Sequence, residues 1–383
     1  MREIYLDHAA AAPVDPAVAR EIIRGIKIVG NPSSFNDAGR NAAKELLVAR
    51  QKVARFLNAR PDEIVFTASG SESNSLAVFG SVNASGVARG EIVSQPTEHL
   101  SVLEPIRRLG KLGYKVKMGD VDEDGIVDIQ SIAKLLSRKT VLVSIMYANN
   151  EIGTIQPIIE IGKIIRNFRK KSGSLFPIFH VDACQVAPYL PMDVNRLGVD
   201  LLTFNGSKIY GPRGIGVLYV RRGVSVEPIV LGGSQERGRR AGTENLPAIL
   251  GLAKAVSLIN PKRDNKKISA LRDYFFKQLS KVLPEAKING SMGVSRLANN
   301  INISIPRHES ERLLLELDKH NIRASAGSAC TAHSVEPSHV LKAIGVKPPY
   351  LDGALRFSLG RRTTKKEIDY TVNALNQLLG KLL

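Results

Sequence analysis

Between about residues 60 and 220, short apolar runs rich in β-branched residues alternate with stretches of helical periodicity. The runs at 63–66, 91–94, 114–118, 140–146, 177–181, 200–204 and 215–220 have strand character. Several are continuously apolar instead of alternating, the pattern of a strand covered on both faces. Helical stretches such as 158–171 lie between many of them and supply the cover. The alternation predicts an α/β layer around a mainly parallel, seven-stranded sheet.

A polar break at Ile259-Asn260-Pro261-Lys262 precedes an amphipathic run to about residue 282. Beyond it come a strand candidate at 300–305, a helix over 309–319 and a strand near Arg323. A further strand at 354–359 leads into a terminal helix. This part predicts a smaller α+β domain. A chain of 383 residues is long enough for both domains and a large buried core.

Composition removes several classes of function. No apolar run approaches a membrane-spanning length. Met1-Arg2-Glu3-Ile4-Tyr5-Leu6-Asp7 has acids where a signal peptide needs an apolar core, so a cytoplasmic protein is expected. Its two cysteines, Cys184 and Cys330, are expected as free thiols and are too few for a Cys-rich zinc site. The formal net charge of +18 favours acidic partners. The basic residues are nevertheless spread out, with local clusters such as 237–240 and 361–362, and no RNA-binding motif accompanies them. With 5% aromatic residues and no Trp, a base-stacking platform is poorly supplied, and direct nucleic-acid binding is not expected.

The chemistry-bearing residues follow strand candidates. Asn205-Gly206-Ser207-Lys208-Ile209-Tyr210-Gly211-Pro212 fixes a lysine in a Gly-rich turn, where it can form an imine with an aldehyde. Asp182 ends the apolar run 176–181, at the carboxyl end of a strand where open α/β sheets bind ligands. A carboxylate there can pair with a pyridinium nitrogen and keep it protonated. These are the two groups that pyridoxal phosphate requires of a protein. Ser69-Gly70-Ser71-Glu72 opens a helical pattern, and small residues at a helix N-terminus suit a phosphate, although they equally suit an ordinary cap. His99 can lie over an aromatic cofactor, and Asn150 can hydrogen-bond a phenolic oxygen. Taken singly, each has a plain structural alternative; together they would be carried by one face of one sheet.

The assembled set resembles the NifS/IscS family of cysteine desulfurases, of the aminotransferase class V superfamily. The resemblance runs nearly end to end, from Tyr5-Leu6-Asp7-His8-Ala9-Ala10 and Asn31-Pro32-Ser33-Ser34 through Asn149-Asn150-Glu151-Ile152-Gly153 and His180-Val181-Asp182-Ala183-Cys184-Gln185. It continues through Lys208-Ile209-Tyr210-Gly211-Pro212, residues 232–245 and Gly327-Ser328-Ala329-Cys330 to Arg356-Phe357-Ser358-Leu359-Gly360-Arg361. It implies a fold type I pyridoxal-phosphate enzyme with a large domain over 15–258. The small domain, built from 1–14 and 259–383, carries the catalytic cysteine. By the same resemblance, Lys208 links to the cofactor, Asp182 pairs with its ring nitrogen, His99 stacks on the ring, and Asn150 and Gln185 contact its hydroxyl oxygen. Gly70 and Ser71 hold the phosphate, and Thr243 reaches the phosphate of a neighbouring subunit in a homodimer. Asn205 and Ser207 stand where the family usually has Ser and His, both commonly phosphate contacts, and Asn36 stands where a His is common. Asn205 and Ser207 can still donate hydrogen bonds but lack an imidazole's reach and charge.

The small residues around Cys330 suit a loop whose thiolate attacks the sulfur of a bound cysteine. The resemblance implies that L-cysteine becomes L-alanine, with a persulfide left on Cys330. It also implies sulfur delivery to an acceptor such as an iron–sulfur scaffold or a tRNA-thiolating enzyme. Lys208 would move the Cα proton, and His99 would assist proton movement. Arg356 is the candidate for the substrate carboxylate, since a guanidinium binds it through two parallel hydrogen bonds; a structural ion pair is the alternative. Cys184 reads as packing. Two rival functions remain at this level: another class V enzyme such as an aminotransferase or selenocysteine lyase, or a basic partner- or RNA-binding protein with a vestigial site.

Overall fold

The computed structural model of the chain describes residues 3–327 and 337–382. A two-residue strand, β1 (Ile4–Tyr5), comes first. It is followed by β2 (Ile64–Thr67), β3 (Glu91–Ser94), β4 (Lys115–Met118), β5 (Thr140–Ser144), β6 (Ile178–Asp182), β7 (Leu201–Asn205) and β8 (Gly216–Val220). These last seven form one sheet in the order β2-β8-β7-β6-β5-β3-β4. Only β8 runs antiparallel to its neighbours. The seven expected runs are the seven strands of this sheet, with bounds displaced by at most two residues.

Five of these strands, β2, β3, β5, β6 and β8, are buried along their whole length, which explains their continuous apolar sequence. Successive side chains point to opposite faces. Leu142, Ile178, Leu201 and Leu218 feed one core cluster, and the next residues Val143, Phe179, Leu202 and Tyr219 feed another. Strand β4 closes one edge and carries Lys115 and Lys117, charges that discourage further pairing. On the larger core, the helix Leu246–Ser257 packs against the helices Pro16–Ile26 and Asp37–Phe56. Gly25 makes that approach possible, because a β-carbon there would stand 2.7 Å from Pro247 Cα.

After the helix Pro261–Val282 come β9 (Lys287–Ile288), β10 (Asn300–Ser304), β11 (Ile322–Arg323) and β12 (Ala354–Ser358), then the helix Lys365–Leu382. Strands β12, β10 and β9 form an antiparallel sheet in that order, and β1 pairs in parallel with β11. The N-terminal segment is thus joined to the C-terminal third of the chain. No described helix is long and apolar enough to cross a membrane.

Candidate active site

The parallel strands β2, β3, β5, β6 and β7 all end at one edge of the large sheet. The segments leaving those ends, with the N-terminal segment and β12, enclose a cavity of about 190 Å³. Its walls include Gly70, Ser71, His99, Asn150, Asp182, Gln185, Asn205, Lys208 and Arg356. The cavity therefore unites most of the residues selected from sequence.

Lys208 ends the short 3₁₀ turn Gly206–Lys208 that follows β7. The amides of Ile209 and Gly211 both donate to the Gly206 carbonyl, fixing the turn. The Lys208 Nζ donates to the carbonyl of Ala10, which anchors the amine at the N-terminal wall. Asp182 is the last residue of β6 and is buried. Its Oδ2 accepts from Asn74 Nδ2 at 2.7 Å, and its Oδ1 from the Cys184 amide at 2.9 Å. Both carboxylate oxygens thus have a donor, as a buried carboxylate requires.

Asn74 was not selected from sequence. It lies one turn beyond Gly70 on the helix Gly70–Ser75, on the face turned to the sheet, and also donates to Ser101 Oγ at 2.8 Å. Its Oδ1 is buried and has no partner among the described residues. The i, i+4 spacing from Gly70 was the available signal.

The helix beginning at Gly70 is capped by Ser69, whose hydroxyl accepts from the Glu72 amide at 3.0 Å. A β-carbon at Gly70 would stand 2.8 Å from Asn205 Nδ2 and 2.9 Å from Cys184 Sγ. Glycine thus preserves a space bounded by an amide donor and backbone N–H groups. Ser207 does not line the main cavity. It lines an adjoining cleft of about 170 Å³ together with Gly70, Asn205 and Arg213. Burial pushes the Cys184 thiol far above its ordinary range, aided by the nearby Asp182 charge, in keeping with a packing role.

His99 caps the helix Leu100–Lys111, with Nδ1 against Ser101 Oγ at 2.7 Å and accepting from the Ser101 amide at 3.1 Å. Gln185 Nε2 donates to the Ala9 carbonyl at 3.1 Å. Arg356 is 1% exposed. It donates from Nη1 to the Asn150 carbonyl at 3.0 Å and pairs through Nη2 with Asp7 at 2.9 Å. The ion pair expected as the alternative therefore exists, yet Nε is buried with no partner among the described residues, and the side chain still lines the cavity. Thr243 is exposed and does not line this cavity. Cys330 lies outside the described residues.

These groups fit pyridoxal phosphate. A primary amine, a doubly hydrogen-bonded carboxylate across the cavity and an imidazole on its wall match the needs of its aldehyde, ring nitrogen and ring face. The space that Gly70 keeps open at a helix start matches an anionic substituent.

The model of the aminotransferase class-V family matches residues 4–371. A cysteine desulfurase IscS of Dictyoglomus turgidum is 41% identical, covering 100% of this chain and 95% of that protein. A cysteine desulfurase of Nostoc sp. is 42% identical over 100% of this chain and 94% of its own length. Among solved structures, a NifS-like protein superposes with a TM-score of 0.92 at 33% identity, covering 99% of this chain and 100% of that one. SspA in complex with cysteine superposes with a TM-score of 0.80 at 31% identity, over 93% and 98% of the two chains. The overall fold of the chain is thus shared with these structures. On sequence and architecture alike, this chain belongs to the aminotransferase class-V family, of fold type I, whose enzymes depend on pyridoxal phosphate.

Proposed function

We propose that this protein is a cysteine desulfurase that converts L-cysteine to L-alanine and leaves a persulfide on Cys330. The observation that carries this reading is the convergence of Lys208, Asp182, His99 and Arg356 on one cavity at the carboxyl edge of the sheet. The cofactor supplies an aldehyde that takes up the substrate amine and a ring that accepts an electron pair.

The chain's own residues do the rest. Gly70, Ser71 and Asn205 hold the phosphate, with Ser207 contributing from the adjoining cleft. Asp182 retains the proton on the ring nitrogen, while Asn150 and Gln185 face the ring hydroxyl. His99 covers the ring and assists proton movement. Arg356 holds the substrate carboxylate, its Nε, without a partner among the described residues, supplying a donor for that oxygen. Lys208, released to its amine form, takes the Cα proton and returns a proton to the product. The Cys330 thiolate forms a sulfur–sulfur bond as the substrate carbon–sulfur bond breaks. Cysteine plus enzyme thiol thereby becomes alanine plus enzyme persulfide.

The large domain takes 15–258; 1–14 and 259–383 form the small one. The enzyme acts in the cytoplasm as a homodimer in which Thr243 reaches the partner's phosphate. Its exposure, and the exposed apolar side chains Ile26, Val29, Phe35 and Leu231, support such a contact. The persulfide passes to an iron–sulfur scaffold or a tRNA-thiolating enzyme.

The test combines two measurements on reconstituted protein. Borohydride reduction should leave a pyridoxyl adduct on Lys208. Treatment with cysteine should add one sulfur to Cys330, seen by mass spectrometry, and Cys330→Ser should stop alanine formation while retaining the cofactor absorbance. Alanine formation undiminished in Cys330→Ser would sink the proposed mechanism.

A further inference from the structure

Glu151, in the turn after β5, has no role in the chemistry above. It is 1% exposed, and a buried carboxylate is costly unless its oxygens are satisfied. Its Oε2 accepts a hydrogen bond from the Ser338 hydroxyl at 2.5 Å. A β-carbon added at Gly327 would stand 3.0 Å from the same oxygen and 3.7 Å from Ser338 Cβ. Gly327 has φ +65°, a conformation that favours glycine. Gly327 and Ser338 are therefore neighbours against one carboxylate oxygen, although ten residues, including Cys330, separate them in sequence.

Each flank is also tied to the cavity walls. Upstream, the Ser325 amide donates to the Arg356 carbonyl at 3.1 Å, and the Arg356 amide to the Ser325 carbonyl at 2.7 Å. Downstream, Ser338 caps the helix His339–Ala343 through the amides of Val340 and Leu341. His339 Nε2 donates to the Glu98 carbonyl, next to His99, at 2.9 Å. Glu151 is itself immobilised through its backbone. Its amide donates to Asn149 Oδ1 at 2.8 Å, and its carbonyl accepts from Asn300 and Asn302 at 2.9 and 3.0 Å. The preceding carbonyl, of Asn150, takes the Arg356 guanidinium. One turn thus contacts the candidate substrate anchor and both flanks of the cysteine-bearing segment.

We propose that Glu151 is a positioning residue for Cys330. Its carboxylate holds together Gly327 and Ser338, the described residues on either side of position 330, and through them bears on the thiol. It acts through Ser338 and Gly327 and touches neither substrate nor cofactor. The inference rests on the desulfurase reading. A role confined to holding the turn together is already filled by the backbone bonds of Glu151, which survive truncation of its side chain.

The experiment compares Glu151→Ala, Glu151→Gln and Ser338→Ala as full-length holoenzymes. Cofactor absorbance, KM for cysteine, kcat and the rate of sulfur addition to Cys330 are measured. Misplacing a reacting group by about 1 Å can cost on the order of a hundredfold in rate. Glu151→Ala should therefore lower kcat and sulfur addition by between about tenfold and a hundredfold, with absorbance and KM little changed. Ser338→Ala should behave alike, the double alanine variant should be no worse than the poorer single one, and Glu151→Gln should recover most of the rate, because its amide oxygen still accepts from Ser338. An unchanged kcat in Glu151→Ala, independent losses in the double variant, or equal damage to KM and cofactor absorbance would each overturn the proposal. If the wild-type protein adds no sulfur to Cys330, the desulfurase reading fails separately. Iodoacetamide labelling of Cys330 then tests the positioning alone, and an identical rate in wild type and Glu151→Ala overturns it.

Discussion

At the scale of single residues, Arg356 combines two demands in one side chain. Two of its nitrogens are engaged by Asp7 and Asn150, and the third is buried without a partner among the described residues. A lysine at this position keeps the charge but loses the planar fork. Arg356→Lys should raise KM for cysteine by at least about tenfold, the loss of one charge-assisted hydrogen bond, with smaller change in cofactor absorbance. Titration offers a second check. Burial lowers the imidazoles of His8 and His180 to about 4 and raises the Glu98 carboxyl to about 8. Between pH 4 and 6.5 the folded histidines bind fewer protons than unfolded ones, so they favour folding more as pH rises. Between about 4.5 and 8 the folded Glu98 binds more protons than its unfolded form, so its contribution falls as pH rises. The thermal midpoint should therefore fall on acidification below about pH 6.5. Glu98→Gln, which stays neutral, should flatten the decline on the alkaline side. Most site residues were legible because each is a distinctive type just after a strand. Asn74 and Glu151 were not, because an Asn inside a helix and a Glu in a turn are ordinary until the fold shows what they touch.

Among the elements, the large sheet was the most legible part of the chain. Burial on both faces forces continuous apolar sequence, and helices between strands force parallel pairing. The antiparallel placement of β8 between β2 and β7 was not legible, since strand order depends on long-range pairing that local sequence does not encode. Nor was β9, which is only two residues long and exposed at both. The start of the helix Gly70–Ser75 gives a prediction at this scale. Gly70→Ala would place a methyl group 2.8 Å from Asn205 Nδ2 and 2.9 Å from Cys184 Sγ. The fold should persist, while absorbance titration should show pyridoxal phosphate binding weakened by at least about tenfold, a typical loss when overpacking costs 1–3 kcal/mol.

For the whole molecule, the segment carrying Thr243 is fastened at its base by a buried ion pair. Arg50, on the helix Asp37–Phe56, meets both carboxylate oxygens of Glu236 at 2.7 Å, and Glu236 also accepts from the Phe66 amide at 3.0 Å. Removing one partner leaves a buried charge, so Arg50→Met should destabilise the protein by about 3–5 kcal/mol, read as a lowered denaturant midpoint. In the proposed dimer the exposed apolar side chains Ile26, Val29, Phe35 and Leu231 would be covered. Phe35→Asp should then shift sedimentation from a dimer to a monomer and lower cofactor retention together.

The parallel pairing of β1 with β11 has a temporal consequence. During synthesis the first strand must wait for residues 322 and 323 to leave the ribosome before it can dock. The wall containing Ala9 and Ala10, against which Lys208 rests, is therefore completed only after those residues have emerged, more than three hundred positions later. Translation arrested before that point should yield chains unable to seal the vestibule, so the pocket matures long after its first strand is made.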